Sequence, residues 1–322
     1  IVTYNEAGKV EISKFAGAGK RAHCIFELVY LMHPESSIEG TGVQVASFRY
    51  NLGAQVAFSD PIRAELENGN ISREQTVVVP VPETSLYGGA HGYADTLELK
   101  VRPALVKTRT AGRTFLTPSE RRKEGVGMTY GVLREFIDGR HVFLYDDSIV
   151  RGTTSRDEIV DKIRREASPE SVHLRSSFPQ IHSSCFYGVD FHMPELISFK
   201  IMADIARKKS FIGDLSGGGD KNQYMRHALK FKEGVDDELA RLIGADSVFH
   251  QTLKGLSEAI DITFKGELSS NDFCMACING EYPTKKGEEL YKEELKRVLK
   301  AARKGKNLDD ILRRAYEATL PR

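Results

Sequence analysis

Two adjacent carboxylates, Asp146 and Asp147, are the residues of this sequence that are best placed to do chemistry. They follow an apolar run at 142–145 and precede a segment of glycine and hydroxyl residues at 150–155. Open α/β sheets bind ligands at the carboxyl ends of their strands, where backbone N–H groups of a loop and a helix N-terminus can hold an anion. The two carboxylates would repel that anion. They therefore suit hydroxyl donors such as a ribose diol, or a hydrated Mg²⁺ ion.

Four cysteines could also carry chemistry, and they lie unevenly at positions 24, 185, 274 and 277. Four are too few for a disulfide scaffold in a chain of 322 residues. Cys274 and Cys277 form a C-x-x-C pair, which in an intracellular protein is typical of metal, cluster or redox chemistry. The residues alone leave two unrelated thiols as an equally good interpretation.

Two further glycine-rich segments do not predict a phosphate site. The segment 17–20 reads G-A-G-K, but a P-loop would need a glycine at position 14, which is Lys14. Three consecutive glycines at 217–219 follow no predicted strand. They indicate an exposed loop within an insertion at 206–236.

Short apolar runs predict the strands that position the carboxylates, and they lie at 77–81, 104–106, 142–145 and 172–174. The runs are continuous rather than alternating, as in strands that are buried on both faces. A helix is predicted at 154–166. The segment begins with capping-box spacings, and Ile159, Ile163 and Ala167 would form an apolar stripe on one face of the helix. Strands that alternate with helices at this spacing indicate an α/β fold with a mainly parallel, doubly wound sheet.

Composition limits the classes of function. A length of 322 residues suggests about two domains. The 46 Lys and Arg and the 45 Asp and Glu leave a formal charge of +1, which argues against binding nucleic acid or a membrane surface through bulk charge. No apolar run reaches the ~18 residues of a membrane span, and the start of the chain does not resemble a signal peptide. We therefore expect a cytoplasmic protein without nucleic-acid or membrane partners.

The run at 142–155 resembles the motif with which type I phosphoribosyltransferases bind 5-phosphoribosyl-1-pyrophosphate (PRPP). Four other segments are similar to glutamine–PRPP amidotransferases and occur in the same order: C-I-F-E at 24–27, V-P-V-P-E-T-S at 79–85, K-T-R-T-A-G-R-T-F at 107–115 and C-F-Y-G-V-D at 185–190. The resemblance covers roughly residues 1–200 and 270–290. It implies the type I phosphoribosyltransferase fold with a helical C-terminal tail. It also implies a magnesium-dependent glycosyltransferase that makes phosphoribosylamine from PRPP and ammonia in purine biosynthesis.

The resemblance implies a role for each matched residue. Asp146 and Asp147 would hold the ribose hydroxyls and surround Mg²⁺, and Thr84 would contribute to the metal site across the cleft. The remaining PRPP-binding residues would be Ser148, Val150, Arg151, Gly152, Thr153, Thr154 and Ser155. A flexible loop that closes over the pyrophosphate would begin with Lys107, Arg109 and Arg113. Cations stabilise the charge of the leaving group, and a closed loop excludes water.

The resemblance also gives the cysteines a role. One subgroup of these amidotransferases holds a 4Fe-4S cluster on a cysteine before I-F-E, a cysteine before F-Y-G and a C-x-x-C near the C-terminus. This sequence has cysteines at all of these positions: Cys24, Cys185, Cys274 and Cys277. We therefore expect a structural 4Fe-4S cluster that ties the C-terminal segment to the rest of the chain.

Members of this family begin with a glutaminase domain, whereas this chain begins with Ile1. We expect residues 1–20 to be a remnant of that domain, 21–265 to be the phosphoribosyltransferase domain and 266–322 to hold the C-x-x-C segment and the C-terminal helices. Ammonia would come from a glutaminase domain or subunit, and the chain by itself would use ammonium but not glutamine. A homo-oligomer is also expected. From 284 onward the sequence predicts a pair of amphipathic helices, with an apolar face formed by Leu290, Leu295, Val298 and Leu299.

The flexible loop departs from the family's pattern. Thr110 stands where a tyrosine is usual, and residues 126–131 replace the motif V-x-x-K-L-N. The alternative function is therefore a regulatory protein that binds PRPP without transferring its ribose. We favour the enzyme, because a pure binder has little use for the three cations of this loop. A transferase acting on a nucleobase is disfavoured, because the four cysteines have no place in it.

Overall fold

The protein is described by a computed structural model that covers residues 2–4, 9–13, 22–38, 40–107, 130–151, 159–189, 191–208 and 234–302. The strands are β1 (Val2–Tyr4), β2 (Val10–Ile12), β3 (His23–Cys24), β4 (Thr76–Pro80), β5 (Lys100–Val101), β6 (Leu105–Lys107), β7 (Tyr130–Val132), β8 (His141–Asp146), β9 (Ser171–Ser176), β10 (Ser247–His250) and β11 (Phe273–Cys274). The α-helices are α1 (Val45–Ser59), α2 (Ile62–Glu67), α3 (Gly89–Leu97), α4 (Asp161–Glu166), α5 (Ile197–Lys208), α6 (Val235–Ile243), α7 (Leu253–Phe264), α8 (Ala276–Asn279) and α9 (Lys285–Ala302). A π-helical turn covers Glu27–Leu31, and 3-10 turns cover Arg134–Phe136, Met193–Glu195 and Ser270–Asp272.

The central sheet has five parallel strands in the order β10–β9–β8–β4–β5. β8 lies in the middle, and its Leu144 pairs with Leu174 of β9 and with Val79 of β4. Helices pack on both faces of the sheet. The α/β fold with a mainly parallel sheet is therefore confirmed.

The core explains why the strand sequences are continuously apolar. On β8, Val142 and Leu144 pack with Ile163 of α4 in one apolar cluster. Phe143 and Tyr145 pack with Tyr93 of α3 in another cluster on the opposite face. Because side chains alternate between the two faces of a strand, a strand that is covered on both sides needs apolar residues at every position.

Several strands differ from the expectation. The short strands β3, β5, β7 and β11 were not predicted, and two further differences have a physical reason. The sequence predicts a sheet strand at 104–106, but β6 pairs antiparallel with β7 in a separate two-stranded sheet. This placement was wrong, because apolar composition identifies a strand without identifying its partner. The edge strand β10 was missed, because its buried residues alternate with partly exposed ones and form no continuous run.

The predicted helices are confirmed only in part. Of the helix predicted at 154–166, the structure describes the residues from 159 onward, and α4 covers Asp161–Glu166. Ile159 and Ile163 are buried, as the predicted stripe requires. In the tail, Leu295 of α9 is buried and Leu290 is partly buried. The side chains of residues 298–302, and all residues from 303 onward, lie outside the part of the chain that the structure describes.

The predicted domain boundaries are not tested by the structure. β1 and β2 form an antiparallel pair of their own. Most of the predicted insertion at 206–236 lies outside the described residues, between the end of α5 at Lys208 and the start of α6 at Val235. Among the helices that are described, none is both long enough and apolar enough to cross a membrane.

Two glycines allow α1 and α3 to pack with their backbones in contact. A Cβ atom at Gly53 would lie 1.9 Å from the carbonyl oxygen of Gly89, and one at Gly92 would lie 1.9 Å from that of Tyr50. Residues with a side chain cannot make this approach. The contact fixes the start of α3, and with it the preceding loop at 81–88, against α1.

A buried ion pair lies between the sheet and the helices. The side chains of Arg175 on β9 and Asp60 after α1 are in contact and only 3% and 1% exposed. Tyr93 donates a hydrogen bond to Asp60 at 2.7 Å, and Arg175 donates to the Ser247 hydroxyl at 2.9 Å. The guanidinium also lies 5.0 Å from the centre of the Phe143 ring. These partners together compensate two charges that are removed from water.

His173 lies next to this ion pair and should make the stability of the protein sensitive to acid. Burial, together with the charge of Arg175, lowers the pKa of His173 to about 4. Between pH 7 and pH 5 the unfolded chain therefore takes up a proton at His173 that the folded chain does not bind, so His173 alone should lower the free energy of unfolding by about 2 kcal/mol. Urea unfolding at the two pH values measures this loss.

The control for this prediction is His173→Gln, which keeps a polar side chain between Ser171 and Ser247 but cannot titrate. The variant should lose about 2 kcal/mol less than the original chain over the same pH interval. Equal losses in the two proteins would show that His173 does not carry the acid sensitivity.

Candidate active site

Asp146 ends the central strand β8, and Asp147 begins the loop that follows it. The backbone N–H of Asp147 donates to the Asp146 carboxylate at 2.9 Å. The backbone N–H of Ser177, just after β9, donates to the Asp146 carbonyl at 2.9 Å. The Asp147 residue is only 8% exposed. The two carboxylates thus occupy the carboxyl edge of the sheet, where the sequence places them.

Thr84, in the loop after β4, contacts Asp147, which follows the neighbouring strand β8. Its hydroxyl donates to Asp147 Oδ1 at 2.5 Å, and the Ser148 hydroxyl donates to Oδ2 at 2.8 Å. Glu83, next to Thr84, has a φ of 84°, which is uncommon for a residue with a side chain and marks a constrained loop. The structure therefore brings Thr84 and the two aspartates together, while their sharing of a metal ion stays a prediction.

The aspartates are electrostatically unusual. Burial raises the pKa of Asp146, and the charge of Asp147 raises it further. Burial also raises the pKa of Asp147, although hydrogen bonds from Thr84 and Ser148 and the charge of Arg49 act in the opposite direction. Because their ionised forms are disfavoured, a bound cation or hydroxyl donors would stabilise the two carboxylates.

Lys107 lies at the end of β6 and forms an ion pair with Glu83 at 2.8 Å. The two side chains are 46% and 67% exposed, so the pair contributes little to stability and can be exchanged for another partner. Burial raises the pKa of Tyr30, and the negative charges of Asp147 and Glu83 raise it further. The positive charge of Lys107 lowers the same pKa. The cation thus lies in the same region as the carboxylates.

The structure describes the beginning of the predicted phosphate loop, Val150 and Arg151. The Val150 carbonyl accepts from the backbone N–H of Ile197 at 2.9 Å, and Arg151 forms an ion pair with Glu195 at 2.8 Å. The loop is therefore anchored at its start to α5 and the turn before it. The remaining predicted residues lie outside the described ranges: Gly152, Thr153, Thr154 and Ser155, Arg109 and Arg113, Thr110 and positions 126–129.

The four cysteines are brought into one region. β11 pairs in parallel with β3, and the register places Cys274 opposite Cys24. Burial raises the pKa of Cys277 well above its ordinary value, and the charges of Cys24, Cys274 and Cys185 act in the same direction. All four thiols are free. Within the described ranges, however, no group of three or more His, Cys, Asp or Glu side chains is arranged so that it could hold a metal ion.

No family model matches the chain. Over 266 residues the chain is 34% identical to a protein named amidophosphoribosyltransferase from Methanothermobacter thermautotrophicus, a match that covers 82% of this chain and 45% of the relative. A Bacillus subtilis protein of the same name is 31% identical over 299 residues, covering 92% of this chain and 51% of the relative. The chain is homologous to the amidophosphoribosyltransferases.

The structure comparison agrees with the homology to amidophosphoribosyltransferases. The glutamine PRPP amidotransferase from B. subtilis, solved in complex with ADP and GMP, matches with a TM-score of 0.62 and 30% identity, covering 88% of this chain and 51% of that one. A structure described as the allosteric regulatory enzyme of purine biosynthesis matches with a TM-score of 0.61 and 31% identity. The chain spans about half the length of the curated relatives it matches.

Two residues near the site of this amidophosphoribosyltransferase homologue were not found from the sequence. Tyr30 lies on the π-helical turn Glu27–Leu31, and its environment includes the charges of both aspartates. Arg49 lies on α1, where the apolar spacing of Val45, Phe48 and Leu52 places position 49 on the buried side. A charged residue on an apolar helical stripe was the signal that could have identified Arg49.

Proposed function

We propose that this chain is the PRPP-using part of an amidophosphoribosyltransferase, which converts PRPP and ammonia to phosphoribosylamine and pyrophosphate at the first step of de novo purine biosynthesis. The observation that supports this most is the hydrogen bond from Thr84 to Asp147. It joins two segments that each resemble the family, at the edge of the sheet where ligands bind. The names of the relatives point to the same reaction.

In the proposed reaction, the bond from C1 of the ribose to the pyrophosphate oxygen breaks, and the lone pair of ammonia forms the C1–N bond. The nitrogen then loses a proton to solvent. We assign Asp146 and Asp147 to the ribose hydroxyls, because both are acceptors at the end of β8. Thr84 and Ser148 orient the Asp147 carboxylate through their hydrogen bonds. Ammonia is already a free base, so the site needs no strong general base.

Lys107 is the described cation that is best placed for the leaving group. Its ion pair with Glu83 is exposed, so the ammonium group can leave Glu83 and contact the pyrophosphate. A positive charge there stabilises the negative charge that develops as the C1–O bond breaks. Arg109 and Arg113 are proposed to add to this charge from the loop that follows.

Thr84, Asp146 and Asp147 also fit a hydrated magnesium ion, because they supply oxygen donors only and lie together at the carboxyl edge of the sheet. Bound Mg²⁺ would supply positive charge to the departing pyrophosphate. A glutaminase domain or subunit is the proposed source of ammonia. Assembly as a homo-oligomer stays a prediction.

The test of the proposed function is pyrophosphate release by the 322-residue chain. Pyrophosphate should form only when PRPP, Mg²⁺ and ammonium are all present, and it should form in equal amount to phosphoribosylamine. Reactions that lack ammonium, or that contain a magnesium chelator, are the controls. Pyrophosphate release no faster than the hydrolysis of PRPP alone would contradict the proposal.

We also propose that Cys24, Cys185, Cys274 and Cys277 hold a 4Fe-4S cluster. Four thiolates are the donor set that this cluster takes. The pairing of Cys24 with Cys274 and the electrostatic interactions of all four thiols support the assignment. Because the described side chains do not form a ready metal site, the cluster would have to draw the four thiols closer together. The cluster would link β3, the segment around Cys185 and β11.

Protein purified without oxygen should therefore be brown and contain about four iron atoms per chain. Cys274→Ser should remove the colour and increase amide hydrogen exchange from β11 to α9 more than in the central sheet, because the cluster would be the main tether of that segment. Met275→Leu, which changes the residue after Cys274 and keeps every thiol, is the control and should retain its iron. A folded anaerobic preparation without colour or iron would refute the cluster.

A further inference from the structure

Tyr145 is a buried tyrosine near the end of β8, directly before the two aspartates, and its hydroxyl has no role in the reaction as described so far. The side chain is fully buried in the apolar cluster that also contains Tyr93 and Phe143. Its hydroxyl accepts a hydrogen bond at 2.9 Å from Oγ of Ser177, a residue that is only 5% exposed. Packing alone does not require this pair of hydroxyls, because apolar groups of similar shape would fill the same space at little cost.

Tyr145 contacts the loop at 81–88 at both of its ends. At the start of the loop, the backbone N–H of Val81 donates to the carbonyl of Tyr145 at 2.9 Å. Just after its end, at the first residue of α3, a Cβ atom on Gly89 would lie 2.9 Å from Cε1 of the Tyr145 ring and 3.0 Å from Oγ of Ser177. The backbone of Gly89 therefore lies directly against the ring and the serine hydroxyl, an approach that a side chain would prevent.

The loop between these two contacts carries Thr84, whose hydroxyl donates to Asp147 at 2.5 Å. It also carries Glu83, whose φ of 84° is uncommon for a residue with a side chain. Such a conformation persists only where the surrounding structure fixes it. The position of the Thr84 hydroxyl therefore depends on the contacts that hold the two ends of the loop.

Ser177 fixes the hydroxyl of Tyr145 at the carboxyl edge of the sheet. The backbone N–H of Ser177 donates to the carbonyl of Asp146 at 2.9 Å, so the residue is held beside the end of β8. If the Tyr145 hydroxyl were removed, the Ser177 hydroxyl would lose this acceptor inside the protein. A buried donor that loses its acceptor is costly, so the Ser177 side chain and its contact with Gly89 would readjust.

We infer that Tyr145 is a positioning residue of the PRPP site, whose ring and hydroxyl, together with Ser177, hold the start of α3 and thereby the loop that presents Thr84. This inference rests on the proposed function, because it concerns the affinity of the same site. Tyr145 is 0% exposed and does not contact the substrate. It acts through the loop at 81–88.

The competing interpretation is that Tyr145 is only a residue of the core. In that case the loss of its hydroxyl would lower thermal stability and leave the affinity of the folded protein for PRPP unchanged. Tyr93→Phe is the matched control, because Tyr93 lies in the same apolar cluster and is equally buried. The hydroxyl of Tyr93 donates to Asp60 at 2.7 Å and not to Ser177.

The experiment compares the original chain with Tyr145→Phe, Gly89→Ala and Tyr93→Phe by titration calorimetry with the magnesium salt of PRPP, alongside thermal unfolding without ligand. Tyr145→Phe should weaken binding about 3- to 10-fold, the effect of one lost hydrogen bond. Gly89→Ala should weaken binding by at least as much, because the added Cβ displaces the same contact from the other side. Tyr93→Phe should lose thermal stability, because a buried carboxylate loses a donor, but bind PRPP normally.

A Thr84→Val background tests whether the effect passes through the loop, since this variant lacks the hydroxyl that Tyr145 is inferred to position. In this background, Tyr145→Phe should change the affinity for PRPP by less than about 2-fold, because residues that act through one another have non-additive effects. A merely structural role of Tyr145 would not produce this non-additivity. A loss of affinity as large as in the original chain would show that Tyr145 does not act through Thr84 and would overturn the inference.

The measured affinities distinguish a failure of this inference from a failure of the proposed function. If the original chain binds PRPP and Tyr145→Phe binds it equally well, the positioning role is wrong and the proposed function stands. If the original chain does not bind PRPP, the proposed function fails, and the inference fails with it. If Tyr145→Phe does not fold, Ser177→Ala replaces it, since this variant removes the other partner of the same hydrogen bond. Unchanged affinity in Ser177→Ala would overturn the inference in the same way.

Discussion

Replacing Asp146 and Asp147 together by asparagine should reduce PRPP turnover by about 1000-fold or more while the protein stays folded. Both carboxylates lie at the carboxyl edge of the sheet and are proposed to hold the ribose hydroxyls and Mg²⁺. Neither contributes to the apolar clusters that pack the sheet. Because burial raises the pKa of both groups, removing their charges should leave thermal stability unchanged or increase it.

The measurement combines pyrophosphate release with thermal unfolding on the same preparation. Asp138→Asn is the control, because Asp138 lies before β8 at the opposite edge of the sheet and accepts a hydrogen bond from the backbone of Ser168. It should keep full turnover. Near-normal turnover in the double variant would contradict the assignment of the site.

Arg175→Met should lower the free energy of unfolding by about 3–5 kcal/mol, the largest effect on stability that we expect. The substitution leaves the Asp60 carboxylate buried with two neutral donors, the Tyr93 hydroxyl and the backbone N–H of Ile62. It also removes the cation over the Phe143 ring and the hydrogen bond to Ser247. A buried charge without a partner is costly, because neither water nor another ion compensates it.

Urea unfolding of the original chain and of the variant measures this loss. The control is Arg63→Met, since Arg63 forms an exposed ion pair with Glu67 whose loss should cost less than about 1 kcal/mol. If Arg175→Met costs no more than Arg63→Met, the ion pair between Arg175 and Asp60 is not the stabilising contact that its burial indicates.

Much of the fold could be predicted from local sequence, because strands that are covered on both faces need continuous apolar runs. The run at 142–145 therefore identified the strand β8. The same reasoning failed for β6, since the partner of a strand depends on residues that are distant in sequence. It missed β10, where only Val248 and His250 are buried.

The residues of the candidate site could likewise be predicted only in part. The two aspartates could be found because strand, carboxylates and loop are contiguous in sequence. Thr84 required the resemblance to the family, because its contact with Asp147 spans 63 positions. Arg49 was missed, although its place on the apolar stripe of α1 could have identified it as a buried charge. Contacts between elements are set by packing, which a single sequence does not display.

This chain should both bind PRPP and transfer its ribose, and the two properties can be measured on one preparation. The affinity for the magnesium salt of PRPP is determined by titration calorimetry, and ammonia-dependent formation of phosphoribosylamine is then measured on the same sample. We predict binding together with turnover well above the uncatalysed reaction, even with Thr110 and the altered residues at 126–131 in the flexible loop. Tight binding of PRPP with turnover no faster than the uncatalysed background would contradict the enzyme and would identify the chain as a protein that binds PRPP without transferring it.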